Sequence, residues 1–213
     1  MSLQITKNYI PIGHPNRPGK LLKGIKARIW HGTANFNSSA TDIMNVKYAG
    51  RKYTKKWNEK EHKWYFFEED GKTPFSYGIA HGYIDYDSAI ITIPTDEITY
   101  NCADRQLPYG TIKGIEGYKG QSKLSYDLFN NQPNSYTWSI ELCMNDMNKW
   151  DLVCDNAIEF VKQYMPGLDK EDLRHYDVSR KNCPSPFVNL LIKEIDPRWI
   201  EFKKEVRKAL GEV

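Results

Sequence analysis

The sequence has few cysteines and little excess charge, and both features narrow the class of protein to which it can belong. Its 213 residues include four cysteines without a C-x-x-C pair, which fits a reducing cytoplasm better than a disulfide-stapled secreted domain. The 30 basic and 27 acidic side chains give a net charge of only +3. That excess is too small to hold a protein on nucleic acid, so we expect no nucleic-acid partner.

Long apolar runs and a targeting segment are also absent. The longest apolar stretches, 89–93 and 188–192, are far shorter than the ~20 residues that a transmembrane helix requires, so we expect no membrane partner. The amino-terminal residues show no basic segment followed by an apolar run, and no secretory signal is visible. We therefore expect synthesis in the cytoplasm.

The composition is typical of a folded protein with one core. Hydrophobic residues make up 40% and charged residues 27% of the chain, which excludes a disordered or collagen-like protein. Domains usually run about 100–200 residues, and no repeat or low-complexity tract divides this sequence. We predict a single domain over residues 1–213, with residues 1–23 as an extended lead-in.

Alternation of apolar and polar residues predicts four strands. Residues 24–31 alternate so that the strand ends at His31, in phase with its apolar positions. Residues 135–143 alternate equally clearly and place Glu141 on the face opposite the apolar row. Residues 79–84 and 89–93 are separated by a turn-rich link of hairpin length, so these two strands should pair.

Helical spacing of apolar residues appears in three further segments. Helices are predicted over about 38–48, with Ser38 or Ser39 as the cap, over 151–165, and from Asp196 and Pro197 to the carboxyl terminus. The last helix should bury Trp199, Phe202, Val206 and Leu210. Residues 51–70 are charged and aromatic and suit either a helix or a hairpin. Residues 104–134 predict a long loop of the kind that often carries functional side chains.

The segment HYDVSRKNCP holds the most informative pair of residues, His175 and Cys183, eight positions apart. Zinc favours imidazole nitrogen and thiolate sulfur, and catalytic zinc sites take three protein ligands. His31, at the end of its strand, is the best candidate for the third ligand. A Zn²⁺ site with two histidines and one cysteine is therefore predicted, and the alternative is a loop histidine beside a buried free thiol.

The remaining histidines and cysteines have simpler interpretations. His14, His62 and His81 are taken as structural. None of the other cysteines has a histidine at ligand spacing, so they are interpreted as small apolar fillers; they are Cys102, Cys143 and Cys154.

Three segments, IWHGTAN, SIELC and HYDVSRKNCP, occur in this order and resemble blocks of the type-2 N-acetylmuramoyl-L-alanine amidases of phage lysins and bacterial autolysins. The resemblance implies an α/β fold in which a central mixed β-sheet is flanked by helices, as in the peptidoglycan recognition proteins. It also implies hydrolysis of the amide bond between N-acetylmuramic acid and L-alanine in bacterial peptidoglycan. Such an enzyme would act on the cell wall after release or export. The sequence leaves open whether a wall-binding domain follows residue 213.

The resemblance also implies roles for five residues. It makes His31, His175 and Cys183 the zinc ligands, Glu141 the acid/base residue and Lys181 the group that stabilises the oxyanion. Glu141 has an alternative interpretation, as a polar residue on a solvated strand face.

The sequence departs from the family pattern at two places, and a second function stays open. Ala80 precedes His81 where relatives carry an aromatic residue, and the segment TYNCADRQ lacks a tryptophan-histidine pair. The alternative function is a peptidoglycan-binding module of the same fold without catalysis. Such modules typically lack the cysteine ligand, so Cys183 favours the enzyme.

Overall fold

A mixed β-sheet forms the centre of the structure. The computed structural model describes residues 3–17, 19–43, 51–75, 78–102, 121–188 and 195–212. The strands of this described part are β1 (Gln4–Lys7), β2 (Ala27–Gly32), β3 (Tyr53–Asn58), β4 (Lys63–Glu68), β5 (Gly82–Ile84), β6 (Ser88–Ile91), β7 (Thr137–Leu142) and β8 (Glu171–Arg174). Six of them form the central sheet in the order β1-β6-β5-β7-β2-β8, and β3 pairs with β4 in a separate two-stranded sheet.

Strand β2 lies inside the central sheet, between β7 and β8, and pairs with both in parallel. Its first five residues are buried, as expected for a parallel strand covered on both faces. β5 and β6 pair antiparallel across a short turn, which confirms the predicted strand pair. The predicted strands over 24–31 and 135–143 are confirmed as β2 and β7, each a little shorter than expected. The predicted α/β architecture is therefore confirmed.

Helices flank this sheet. Those of the described residues are α1 (Ala40–Asp42), α2 (Lys123–Phe129), α3 (Trp150–Tyr164), α4 (His175–Ser179) and α5 (Pro197–Ala209). The predicted helices over 151–165 and from Asp196 are confirmed as α3 and α5. The Asp196 side chain accepts a hydrogen bond from the Arg198 backbone, and Pro197 occupies the first helical position, so α5 begins as predicted. Among the described helices, none is long and apolar enough to cross a membrane.

Helices α3 and α5 cover one face of the sheet and form the largest apolar cluster with it. Trp30 and Ile140 from the sheet pack there with Phe160 and Phe202 from the helices. The Trp30 and Phe202 rings meet edge to face, with centroids 4.8 Å apart. A Cβ at Gly82 would lie 2.5 Å from the Phe160 ring, so α3 can approach β5 only because this position is glycine.

The opposite face of the sheet carries polar side chains between two apolar clusters. One cluster includes Tyr83, and the other includes Ile29. The strand register places Glu141 beside Tyr83 and also beside His31. Ser139, two residues earlier on β7, is completely buried, whereas Glu141 is partly exposed. The interpretation of Glu141 as a polar residue on a solvated strand face stays a hypothesis beside its predicted acid/base role.

Two predicted irregular segments contain regular structure. The lead-in over 1–23 includes β1, which adds to the edge of the sheet by pairing in parallel with β6. The long loop predicted over 104–134 contains α2, whose first turn is capped by the Ser122 side chain. The part of that predicted loop before residue 121 lies outside the described residues.

The structure also shows the secondary structure of two further segments. Residues 51–70 form the antiparallel hairpin of β3 and β4, not a helix. The helix predicted over 38–48 begins with α1, and Ser39, one of the two predicted caps, forms a capping box with Asp42. Positions 44–50 lie outside the described residues.

A buried ion pair connects β2 to β8. The guanidinium of Arg28 donates to both carboxylate oxygens of Asp172, at 2.7 and 2.9 Å, and both side chains are fully buried. Arg28 also donates to the backbone carbonyls of Met165 and Gly167, each at 3.0 Å. The Trp30 indole donates to the same carboxylate at 3.0 Å. Each charge is thus neutralised and hydrogen-bonded, as burial requires.

We expect Asp172→Asn to lower the free energy of unfolding by about 3–5 kcal/mol, because it leaves the buried Arg28 charge without a counter-ion. Denaturant unfolding of the purified protein measures this loss. The control is Asp169→Asn, which removes an exposed carboxylate paired with Lys170 at 2.6 Å and should cost less than about 1 kcal/mol. Equal losses in the two variants would contradict the role given to the buried pair.

Candidate metal centre

Three side chains predicted as metal ligands meet beside the carboxyl end of β2. His31, His175 and Cys183 are all buried, and one donor atom of each lies within 4.8 Å of those of the other two. The Cys183 Sγ is 3.8 Å from His31 Nδ1. A tetrahedral ion with bonds of about 2.0–2.3 Å separates its ligand atoms by roughly 3.3–3.8 Å. Small side-chain shifts would therefore bring all three donors to coordinating distance.

The sheet register places the two histidines side by side. His31 is the fifth residue of β2, and His175 is the first residue of α4, directly after the last residue of β8. Because Trp30 pairs with Arg174, the next residue along each of these parallel strands is a histidine. Their ring centroids are 4.6 Å apart at an interplanar angle of 67°.

A turn after α4 brings Cys183 back to the two histidines. The helix ends at Ser179, and the residue that caps it, Arg180, has a left-handed φ of 62°. The Tyr176 amide then donates to the Cys183 carbonyl at 2.9 Å, which fixes the returning chain against the first turn of the helix. The backbone N–H of Gly32 donates to the Cys183 Sγ at 3.4 Å. This contact holds the sulfur of Cys183 against the end of β2, beside His31.

The close approach of Cys183 to β2 depends on glycine at position 32. A Cβ on Gly32 would lie 2.9 Å from the Met144 sulfur and 3.3 Å from the Pro184 Cβ. Larger residues would push the end of β2 away from the segment that carries Cys183. The glycine of the motif IWHGTAN therefore has a packing role in assembling the site.

Burial keeps His31 in the form that a metal needs. Desolvation lowers the pKa of His31 well below its usual value, and the nearby His175 and Lys181 lower it further. A neutral imidazole can donate a lone pair to an ion, whereas an imidazolium cannot. Within the described residues, the Nε2 of His31 has no hydrogen-bond partner, although such buried groups are normally satisfied. Both features fit a metal ligand.

Glu141 lies next to His31, on the adjacent strand and the same face. The two residues are register partners in the parallel pair of β2 and β7, whose axes are separated by roughly 4.8 Å. The Glu141 Oε1 accepts a hydrogen bond from the Asn101 Nδ2 at 3.0 Å, and the same amide donates to the Ser139 Oγ at 2.9 Å. Asn101 therefore orients the carboxylate beside the three candidate ligands.

Asn101 was not predicted from the sequence. It follows β6 by a short irregular segment and bonds a residue 40 positions away, so no local pattern indicates its role. The one feature of the sequence that could have indicated a role for Asn101 is its position in TYNCADRQ, the segment that departs from the family pattern.

Lys181 is exposed and lies two residues before Cys183. Its positive charge contributes to the lowered pKa of His31. The structure brings His31, His175 and Cys183 together beside Glu141, and the role of Lys181 stays a prediction.

The other buried cysteines and histidines have environments that differ from this centre. The Nε2 of His81 lies 2.8 Å from the Glu97 carbonyl oxygen, and its Nδ1 accepts a hydrogen bond from the Ser139 amide at 3.0 Å. Burial lowers the pKa of His81 to about 4. Burial raises the pKa of Cys154 to about 12 and raises that of Cys143 as well. Among the described residues, the candidate ligands form the single group that could hold a metal.

Known proteins confirm the resemblance to amidases. The chain is 28% identical to the N-acetylmuramoyl-L-alanine amidase BlyA of Bacillus subtilis (strain 168) over 215 residues, which is 97% of this chain and 47% of BlyA. It is 27% identical to the N-acetylmuramoyl-L-alanine amidase CwlL of Bacillus licheniformis, over 98% of this chain and 48% of CwlL. The chain thus spans about half the length of the curated relatives it matches. No protein-family model matches it.

Solved structures show the same fold. The catalytic domain of XlyA superposes with a TM-score of 0.56 at 20% sequence identity, covering 96% of this chain and 99% of that domain. The predicted amidase fold, with a central mixed sheet between helices, is therefore confirmed.

We expect Cys183→Ser to weaken zinc binding by more than about 100-fold. Loss of a residue that only hydrogen-bonds to a ligand typically lowers metal affinity by about 10–100-fold, and loss of the ligand itself should lower it further. Titration of metal-free protein with Zn²⁺ against a competing chelator measures the affinity. Cys154→Ser is the matched control, since Cys154 lies partly buried on α3 and should keep the parental affinity. Equal losses in both variants would exclude Cys183 as a ligand.

Proposed function

We propose that this chain is a zinc-dependent N-acetylmuramoyl-L-alanine amidase, which hydrolyses the amide between the lactyl group of N-acetylmuramic acid and L-alanine in bacterial peptidoglycan. The observation that carries the proposal is the meeting of His31, His175 and Cys183 directly beside Glu141. The names of the relatives that the chain resembles support the same activity. With this substrate, the protein acts on the cell wall after release or export.

Zinc suits the donor set better than other common ions. Two imidazoles and one thiolate match the ligands that Zn²⁺ prefers in tetrahedral sites, whereas Mg²⁺ and Ca²⁺ prefer oxygen. His31, His175 and Cys183 would hold the ion. When bound, it supplies a Lewis acid that polarises the carbonyl of the scissile amide and makes water more acidic.

Glu141 is the proposed acid/base residue. It takes a proton from the water whose hydroxyl adds to the amide carbon, and it passes that proton to the nitrogen as the carbon–nitrogen bond breaks. The products are a lactyl carboxylic acid and a free amino group on L-alanine. The hydrogen bond from Asn101 holds Oε1, so the carboxylate is oriented before substrate arrives.

Lys181 is the proposed stabiliser of the negative charge that develops on the carbonyl oxygen. It is exposed, so its flexible ammonium group is accessible to a bound substrate. A donor of this kind contributes about 3 kcal/mol to stabilisation of the transition state. Its positive charge also disfavours a protonated His31.

The alternative of a non-catalytic binding module explains less of the site. Binding alone requires neither a cysteine beside the two histidines nor a carboxylate held beside the candidate ligands by Asn101. Both side chains are present, and both support hydrolysis.

We expect Glu141→Gln to keep its zinc while the turnover number falls by about 10²–10⁴-fold, the usual contribution of a positioned acid/base group. The glutamine side chain can still accept the hydrogen bond from Asn101, so the geometry is preserved while proton transfer is lost. Release of peptide from a purified soluble muropeptide measures turnover, and metal analysis measures zinc.

The control for this experiment is Glu159→Gln, which changes a carboxylate on α3, the helix on the other face of the sheet, and should keep the parental rate. A Glu141→Gln protein with full zinc content and more than half of the parental rate would refute the mechanism.

A further inference from the structure

The hairpin of β3 and β4 is a feature that the proposed reaction does not use. It is a two-stranded sheet separate from the central sheet, and it contains the basic and aromatic run noted in residues 51–70. An isolated hairpin of this kind is only marginally stable in water, so contacts with the rest of the protein must hold it in place.

Those contacts lie at the base of the hairpin. The Tyr53 ring packs edge-on against His14, with centroids 5.2 Å apart, and against Phe75 at 6.1 Å. Arg51 and Glu68 form an ion pair next to this cluster. The base is therefore anchored to the core, while the other end of the hairpin projects into solvent.

Two tryptophans lie exposed near that projecting end. Trp57 and Trp64 are cross-strand partners, and their ring centroids are 5.4 Å apart. Their exposed fractions are 41% and 49%. Tryptophan side chains are usually buried, because burial of their large apolar surface stabilises a protein. Two such rings exposed side by side form an apolar patch that is typical of a binding surface.

One lysine lies beside the tryptophans, and a second lies on the opposite face of the hairpin. The Lys55 ammonium lies 4.8 Å from the centre of the Trp64 ring, and the Lys56 ammonium lies 5.1 Å from the Phe67 ring. Neither lysine pairs with a carboxylate among the described residues, whereas Lys63 pairs with Glu61 and Lys52 with Glu69. Lys55 therefore adds a positive charge to the face of the hairpin that carries the two tryptophans.

A shallow cavity of about 480 Å³ lies along the hairpin. Its lining is formed by Lys56, Trp57, Asn58, Glu59, Lys60, Tyr65 and Phe67. The cavity therefore combines aromatic rings with charges of both signs, and most of its ring lining lies on the face opposite the tryptophan pair.

We propose that this hairpin is a second binding surface for peptidoglycan, on which the glycan strand stacks against Trp57 and Trp64 while a carboxylate of the stem peptide pairs with Lys55. This inference rests on the proposed function, which supplies the polymer. Pyranose rings present flat C–H faces that suit tryptophan, and a peptide stem ends in a carboxylate that complements Lys55. The hairpin would hold the wall while the metal centre acts on one of its amides.

The test uses zinc-loaded Glu141→Gln protein, so that the wall is bound but not digested. Sedimentation with insoluble peptidoglycan stripped of its anionic wall polymers measures affinity. We expect Trp57→Ala/Trp64→Ala to raise the dissociation constant by at least about 10-fold, as for the loss of central aromatic anchors. Leu152→Ala is the control, because Leu152 is 50% exposed on α3 and should leave the constant within about twofold of the parental value.

A charge-reversal variant keeps the test decisive if the tryptophan variant folds poorly. Lys55→Glu should also weaken binding to the stripped wall, and its effect should shrink at high salt. Unchanged binding in both folded variants would overturn the proposal. A loss of binding seen only on walls that retain their anionic polymers would also overturn it, because the occupant would then be that polymer.

A separate measurement distinguishes failure of this inference from failure of the proposed function. With Glu141 intact, the tryptophan variant should cleave a small soluble muropeptide with a kcat/KM within about twofold of the parental value, because a small substrate does not span both surfaces. A parental protein that fails to cleave the muropeptide would refute the proposed function, while the sedimentation result would still decide the role of the hairpin.

Discussion

The parallel register of β2 with its two neighbours is the constraint on which the site depends. It places His31 beside Glu141 on one side and, one step beyond the last residue pair, beside His175 on the other. A slip of one residue would turn every side chain of β2 to the opposite face. The Arg28–Asp172 pair joins register partners across the same strands, so the buried salt bridge stabilises the alignment that the candidate ligands need.

The two faces of the central sheet differ in the side chains they carry and in their role. One face is filled by large apolar side chains against α3 and α5, which provides a rigid support. The other face keeps polar groups between two smaller clusters, where His31 is buried and held neutral. Burying several imidazoles and a thiol without a ligand is costly, and the core packing on the first face offsets this cost. The metal of the proposed function would add to the stability of the centre. The exposed hairpin of β3 and β4 is a separate sheet, outside the packing of the central sheet.

Much of this arrangement could be predicted from the sequence, because the decisive signals are local. Strict alternation indicated β2 and β7, caps and helical spacing indicated α3 and α5, and three short motifs indicated the candidate ligands. The parts that could not be predicted depend on distant contacts. β1 is short and largely exposed, so it has no apolar row to indicate a strand. The hydrogen bond from Asn101 to Glu141 and the pairing of Arg28 with Asp172 join residues far apart in the chain, which no local pattern reveals.

The central claim concerns which bond in the wall is broken. An amidase releases the peptide stem and leaves the glycan chain intact, whereas a glycosidase creates new reducing sugars and a peptidase cuts within the stem. Mass spectrometry of purified peptidoglycan digested by the zinc-loaded protein separates these outcomes. The account predicts stem peptides with new L-alanine amino termini and no new reducing sugars, while new reducing ends or cuts inside the stem would contradict it.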